Sequence, residues 1–228
     1  MNLKITKFPI NFESLKHLTK LIYENKSPLR IFHNFFLKKI FINGKTIDLG
    51  SGNHGSYYKF LNSQSAKIYF ADQNKKNNNN HYQVDLEKKL DFNNEDFDTI
   101  ILFNVIEHIE NHQLLLSEIN RILKKNGKLE LFVPFMFRYH EDSKDIFRPT
   151  HYYITSLLEK FGFEVQTFLI GVGPLKVISE IILKYFKINF LRIIFFIIFL
   201  YIDKIISFFS KDYSNYYCGI HCSCKKIL

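Results

Sequence analysis

The sequence predicts an α/β fold built on a doubly wound, mostly parallel sheet. Three observations predict it. Strand-like and helix-like segments alternate through residues 45–171, the pattern that builds parallel sheets through crossover helices. The stretch "FDTIILFN" (97–104) carries a continuous apolar run, "IILF", without alternation, as suits a strand covered on both faces. Asp48, Asp72, Asp85 and Asn104 each fall at the end of a strand-like segment, and doubly wound sheets bind ligands at the carboxyl ends of their strands.

Residues 12–24 and 28–41 carry apolar residues at helical spacing: Leu15, Leu18, Leu21 and Ile22, then Ile31, Phe35, Phe36 and Ile40. Pro28 suits a helix start. "NGK" (43–45) is a turn, "KTIDLG" a strand, Gly50 to Gly55 a turn, and "SYYKFL" the start of a helix. "AKIYFAD" (66–72) is the second strand, "HYQVDL" (81–86) a short third, and 97–104 the fourth. "NHQLLLSEINRILKKNG" (111–127) is an amphipathic helix that ends in lysines and Gly127. "KLELFVPF" (128–135) is the fifth strand, 150–163 a helix and "EVQTFLIG" (164–171) the sixth strand.

With 228 residues and 46% hydrophobic content, the chain can bury one full core. The expected organisation is a single domain: N-terminal helices (1–41), a ligand-binding core (42–171), an apolar helical insertion (172–212) and a final strand (213–228). "NKKNNNN" (74–80) is a polar low-complexity loop. The N-terminus lacks the continuous apolar stretch of a signal peptide, which favours an intracellular, cytoplasmic protein. Residues 1–45 hold nine Lys/Arg against two acids, 46–170 fourteen against seventeen, and 171–228 eight against three. A nucleic-acid enzyme concentrates positive charge around its cleft, so this distribution argues against one. Basic flanks beside apolar segments suit either peripheral contact with an anionic membrane, at the inner face of the cell membrane, or plain solvation.

"TIDLGSGNHGSYYKF" (46–60) contains a G-x-G-x-x-G at Gly50, Gly52 and Gly55. A dinucleotide would set its pyrophosphate over that turn. Asp48, two residues before it, would then face a doubly negative group in a partly dry site, a repulsion of several kcal/mol at an effective dielectric of about 20. S-adenosylmethionine carries no phosphate but has an ammonium and a sulfonium. A carboxylate favours that positive end, and glycines let the ligand approach closely. S-adenosylmethionine is therefore the expected cofactor, with Asp48, Gly50, Ser51 and Gly52 against it. A helix-capping role for Asp48 is the alternative.

These residues resemble the class I S-adenosylmethionine-dependent methyltransferases over about residues 40–170. "TIDLGSG" is similar to the family's first motif, although His54 stands where its third glycine falls. The resemblance implies a Rossmann-like seven-stranded sheet with an antiparallel last strand. It also implies that Asp72, beside Gln73, bonds the ribose hydroxyls and that Asp85, with Leu86, meets the adenine. "FDTIILFNVIEHI" (97–109) is similar to the fourth strand and its Glu-His signature, which places Asn104 near the cofactor and Glu107 and His108 at the transfer site. "HEDSKDIFRPTHYYITSLLEKFGF" (140–163) resembles a His-x-x-Pro-x-Asp-Tyr-x-Arg-x-Thr block of a branch associated with surface-polysaccharide genes. His140, Asp145, Arg148 and Thr150 match; Ser143 and Ile146 replace its proline and tyrosine.

On that resemblance His140 is the preferred general base, with Asp145 orienting it and His108 either a second base or a wall residue. Arg148 either binds an anionic part of the substrate or pairs with Asp145. Glu107, Arg148 and Tyr139 are the expected substrate contacts. Asp85 has a second reading within the charge run "DLEKKLD". The uninterrupted apolar run 193–202 is ten residues long, short of the roughly 20 a spanning helix needs. It is expected in a helix that lies on a membrane or covers the substrate site, or else packs in a core or dimer interface. Cys218, Cys222 and Cys224 are expected as buried residues on one face of a final strand, and no metal is expected. The function these expectations favour is methyl transfer to a sugar hydroxyl of a surface glycan or its lipid-linked precursor. Methylation of a quinone-type lipid, or an inactive cofactor-binding partner protein, are the alternatives.

Overall fold

The computed structural model describes residues 2–52, 57–74, 80–139 and 144–227. Among these residues, eight strands form one sheet: β1 (Asn2–Ile5), β2 (Phe41–Leu49), β3 (Asn62–Asp72), β4 (His81–Gln83), β5 (Phe97–Phe103), β6 (Leu123–Pro134), β7 (Phe163–Ile170) and β8 (Gly219–Lys226). Their order is β1-β7-β8-β6-β5-β2-β3-β4. Every pairing is parallel except those of β8, which runs antiparallel to both β6 and β7. The doubly wound, mostly parallel sheet and its antiparallel last strand are as expected. The eighth strand, β1, was not: it is a short exposed edge paired to β7.

Among the described residues, six α-helices cover the sheet. They are α1 (Phe12–Tyr23), α2 (Pro28–Leu37), α3 (His112–Ile122), α4 (His151–Lys160), α5 (Pro174–Ile182) and α6 (Asn189–Phe209). Side chains of Asn11, Ser27, Asn111 and Thr150 cap the first four, satisfying amides that a helix start leaves open. Leu115, Ile119, Ile154 and Leu158 of α3 and α4 pack with Ile100, Leu102 and Leu131 on one face of the sheet. Leu18, Ile31, Phe32, Phe36, Phe196 and Leu200 of α1, α2 and α6 pack with Ile101, Phe103 and Phe132 on the other. Asp48 pairs with Ile101 in register, so it shares the α1–α2 face.

The sequence reading misplaced several boundaries, each for a local reason. Where a helix was expected after the glycine turn, the described residues form a single 3-10 turn, Tyr58–Phe60. β3 starts at Asn62, two residues after that turn. The ring of His17 from α1 lies 5.1 Å from that of Phe60, so α1 and α2 cover that part of the sheet instead. α2 stops at Leu37 and α3 at Ile122, because Phe41 and Leu123 already belong to strands. Cys218 precedes β8 and packs in the α1–α2 cluster, while Cys222 and Cys224 pack in the opposite one. The three cysteines therefore do not share a face.

α5 and α6 form a helical hairpin between β7 and β8. Asp203 of α6 is buried and accepts hydrogen bonds from the amides of Leu175 (3.0 Å) and Lys176 (2.9 Å) at the start of α5. The Lys176 ammonium lies 3.1 Å from it and also donates to the Tyr213 hydroxyl at 2.8 Å. Among the described residues, no helix is long and apolar enough to cross a membrane.

Candidate active site

The strand order reverses around β2, which lies between β3 and β5, and ligand crevices form at such switch points. Gly50 adopts φ +75°, and a Cβ there would meet Val105 Cγ2 at 2.4 Å. The amides of Gly50 and Ser51 both donate to the Ala71 carbonyl, at 2.8 and 3.1 Å. Gly52, at φ +54°, donates its amide to Asp72 Oδ2 at 2.9 Å. A Cβ on Gly52 would meet nothing within 4 Å, so the turn borders open space there.

Asp48 is buried and its Oδ2 accepts hydrogen bonds from both Tyr57 and Tyr58. Its Oδ1 is buried with no partner among the described residues, and so is Ser51 Oγ. Burial pushes the Asp48 carboxyl up to about 7, against the downward pull of the two tyrosine hydroxyls. Buried polar atoms rarely stay unbonded. A cationic amine beside Asp48 would meet that unfilled oxygen, so the residues fit the methionine end of S-adenosylmethionine.

Asp72 Oδ1 accepts from the Asn74 amide at 3.0 Å, and the Asp72 carbonyl accepts from Val84 at 3.2 Å, which brings the end of β4 beside the turn. Asp85 is engaged in its own turn: it accepts from the Glu87 amide at 3.0 Å and pairs with Lys88 at 3.0 Å. Lys88 chiefly holds its carboxyl below the usual range. Leu86 packs on the α3–α4 cluster, and the Gln73 carbonyl accepts from the Gln83 side chain at 3.1 Å.

Next to this crevice lies a cavity of about 430 Å³, the size of a small-molecule site. Its walls are the α1–α2 link (Asn25–Ser27), one side of α2 (Leu29, Arg30, His33, Asn34), Tyr57, the segment after β5 (Asn104, Glu107, His108) and the end of β6 with the chain beyond (Phe132, Pro134, Phe137, Arg138). Tyr57 joins the two halves, lining the cavity while bonding Asp48. Asn104 takes the left-handed conformation, φ +54°, and its amide donates to the Phe132 carbonyl at 2.9 Å.

Glu107 is fully buried in the 3-10 turn Ile106–His108, and neither carboxyl oxygen has a hydrogen-bond partner among the described residues. Burial pushes it up to about 8, with Arg148 opposing. His108 Nδ1 lies 2.9 Å from the Lys144 carbonyl, which fixes Nδ1 as its protonated nitrogen. Asp145 is ion-paired to Arg148, and the Ile146 amide donates to the Glu107 carbonyl at 3.0 Å. Tyr139 is exposed. His140, the preferred base, lies outside the described residues. Among the described residues no group of His, Cys, Asp or Glu is placed to hold a metal ion.

Sequence reasoning missed the α2 wall. His33 Nε2 lies 3.0 Å from His221 Nδ1. His221 Nε2 lies 2.9 Å from Glu130 Oε2, which also accepts from Ser223 Oγ at 2.7 Å. The available signal was a polar His33–Asn34 pair inside "RIFHNFF", and a Glu and a His inside apolar strands.

Residues 22–167 match the family of the methyltransferase domain. The chain belongs to that family, the class I S-adenosylmethionine-dependent methyltransferases, whose cofactor is S-adenosylmethionine. The fold resembles an S-adenosylmethionine-dependent methyltransferase from Archaeoglobus fulgidus, with a TM-score of 0.56, 14% identity, and 95% of this chain and 100% of that chain covered. It also resembles Haemonchus contortus phosphoethanolamine N-methyltransferase 2 in complex with S-adenosyl-L-methionine (TM-score 0.52, 16% identity, 86% of this chain, 52% of that chain). A third neighbour is the [4+2]-cyclase SpnF (TM-score 0.52, 14% identity, 92% and 80% covered). At these identities the likeness establishes the fold alone. No curated protein matches the chain in sequence.

Proposed function

We propose that this chain transfers a methyl group from S-adenosylmethionine to a sugar hydroxyl of a surface glycan or its lipid-linked precursor. The observation that carries the reading is the polar cavity against the capped Asp48. Asn25, Asn34 and Asn104 offer hydrogen bonds of both senses there, as sugar hydroxyls require, and Lys26, Arg30 and Arg138 suit a nearby phosphate. Asp48 Oδ1 holds the cofactor's ammonium, the Gly50–Ser51–Gly52 turn lies against its methionine end, and Asp72 with Gln73 takes the ribose. Asp85 and Leu86 border the adenine and Asn104 flanks the cofactor. The bound cofactor supplies the methyl group, its S–C bond breaking with the electron pair left on sulfur as the acceptor's O–C bond forms. Glu107, uncharged at neutral pH, donates a hydrogen bond into the cavity. Asp145 and Arg148 brace the turn that carries it.

The α5–α6 hairpin supports a lipid-linked acceptor. Tyr185, Ile188, Phe190, Ile198, Phe208 and Phe209 are exposed on it, and Lys184, Lys187, Lys204 and Lys211 flank them. That composition fits peripheral contact with an anionic membrane surface. The same face would suit a quinone-type lipid, but the polar cavity favours a sugar.

The test is radiolabelled methyl transfer into fractionated glycans, lipid-linked sugars, quinones and RNA, with binding of S-adenosylhomocysteine measured alongside. Label in the glycan or lipid-linked sugar fraction is the expected result. Label confined to quinones or RNA, or cofactor binding without transfer, would overturn the acceptor assignment.

A further inference from the structure

β8 places His221 in register with Phe132 of β6 on one side and Phe168 of β7 on the other. Its ring faces α2, where it meets His33 among Phe36, Phe103 and Phe132. His33, His221 and Glu130 are all buried. Burying three polar groups in an aromatic layer is costly unless each is bonded, and apolar side chains would pack there more cheaply. The line has one open end, at the cavity that His33 lines.

The donors along the line can be assigned from its acceptor end. An ionised carboxylate only accepts. His221 Nε2, 2.9 Å from Glu130 Oε2, therefore carries a proton. A neutral His221 then has a bare Nδ1, which accepts from His33 Nε2–H at 3.0 Å. His33 is left with a bare Nδ1, and no hydrogen bond to it occurs among the described residues. Stacking on Phe132, with centroids 3.7 Å apart and 14° between planes, holds the ring in place.

We propose that His33 is the base that takes the acceptor hydroxyl's proton, with His221 and Glu130 as positioning residues that fix its tautomer. This rests on the methyl-transfer reading above. The proton leaves the acceptor oxygen for His33 Nδ1 as that oxygen takes the methyl group. The positive charge of the donor thus ends on the imidazolium, and Glu130 compensates it through His221. Burial, then His221 and Arg30, hold His33 well below the usual histidine range, so it is neutral and able to accept at neutral pH. The charged and titratable groups around it are Arg30 on its own helix, His221 and Glu130 behind it, and Glu107, His108, Lys26 and Arg138 around the cavity.

The tautomer is measured by nitrogen-15 NMR of histidine-labelled full-length protein saturated with S-adenosylhomocysteine. The expected result is His33 protonated at Nε2 and bare at Nδ1 across neutral pH; a proton on Nδ1 overturns the proposal. This arm needs no acceptor and no variant. In the fraction that the wild type labels, His33→Ala should lower transfer about 10²–10⁴-fold with S-adenosylhomocysteine affinity unchanged, and added imidazole should restore part of it. Glu130→Gln, which keeps the acceptor oxygen, should lower transfer about tenfold, the scale of one weakened charge-assisted bond, and move the acid limb of the pH profile to lower pH. Full transfer by His33→Ala overturns the proposal. Absence of S-adenosylhomocysteine binding by the wild type would instead sink the cofactor reading.

Discussion

Replacing Asp48 by asparagine should stabilise the cofactor-free protein, and more so as pH rises. The Asp48 carboxyl is raised from 3.8 to about 7 by burial. Between those values the folded state keeps a proton that the unfolded state has lost, so stability falls with rising pH. One pKa unit corresponds to about 1.36 kcal/mol, so the penalty reaches roughly 4 kcal/mol above pH 7, of which about 1.6 is already present at pH 5. Asparagine keeps an acceptor oxygen for Tyr57 and Tyr58 but never ionises. The stability difference, variant minus wild type, should therefore grow by roughly 3 kcal/mol between pH 5 and pH 8. Urea unfolding at several pH values measures it, with equal slopes confirming that the unfolding reaction is unchanged. Glu107 and Glu180, raised to about 8 and about 7, titrate in the same sense in both proteins and cancel in the difference. A difference that stays flat with pH would refute an uncompensated buried carboxyl at the glycine turn.

Binding of S-adenosylhomocysteine at pH 7 should release about half a proton from Asp48, and none from this source in Asp48→Asn; calorimetry in two buffers of different ionisation enthalpy reads the difference. Gly50→Ala should cost more than 2 kcal/mol of stability in chemical denaturation, since its Cβ would strike Val105. Gly52→Ala, strained in φ but facing open space, should cost only about 1 kcal/mol while weakening S-adenosylhomocysteine binding. Asp203→Asn should cost about 3–5 kcal/mol in denaturant titration, because it leaves the buried Lys176 ammonium without its counter-charge. Phe208→Ser with Phe209→Ser should reduce flotation with anionic liposomes at low salt without lowering the denaturation midpoint, as both rings are exposed.

The parts of the fold legible in the sequence are those written locally. β5 is apolar without a break from Ile100 to Phe103, where both its faces are covered, and the Asp48–Gly50–Gly52 spacing lies within one strand and turn. β1 gave no signal: it is four exposed residues at an edge. "SYYKFL" shows no periodicity that separates a helix from a single 3-10 turn, and the polar start of β3, "NSQSAK", hid how soon the next strand begins. The cavity depends on contacts remote in sequence, with His33 meeting His221 across 188 positions. No window short enough to show a period contains both residues. "CGIHCSC" drew attention to its cysteines, yet the histidine between them reaches the cavity wall.

The placement of β8 also bears on how the chain is made. β6 and β7 share no ladder; each bonds to β8, which follows them only after the whole α5–α6 hairpin. Until residues 219–226 leave the ribosome, no strand ladder joins the β1–β7 pair to the strands from β6 to β4, and His33 of α2 lacks its His221 partner. Nascent chains halted before that point should stay sensitive to protease and gain resistance abruptly once β8 slots in.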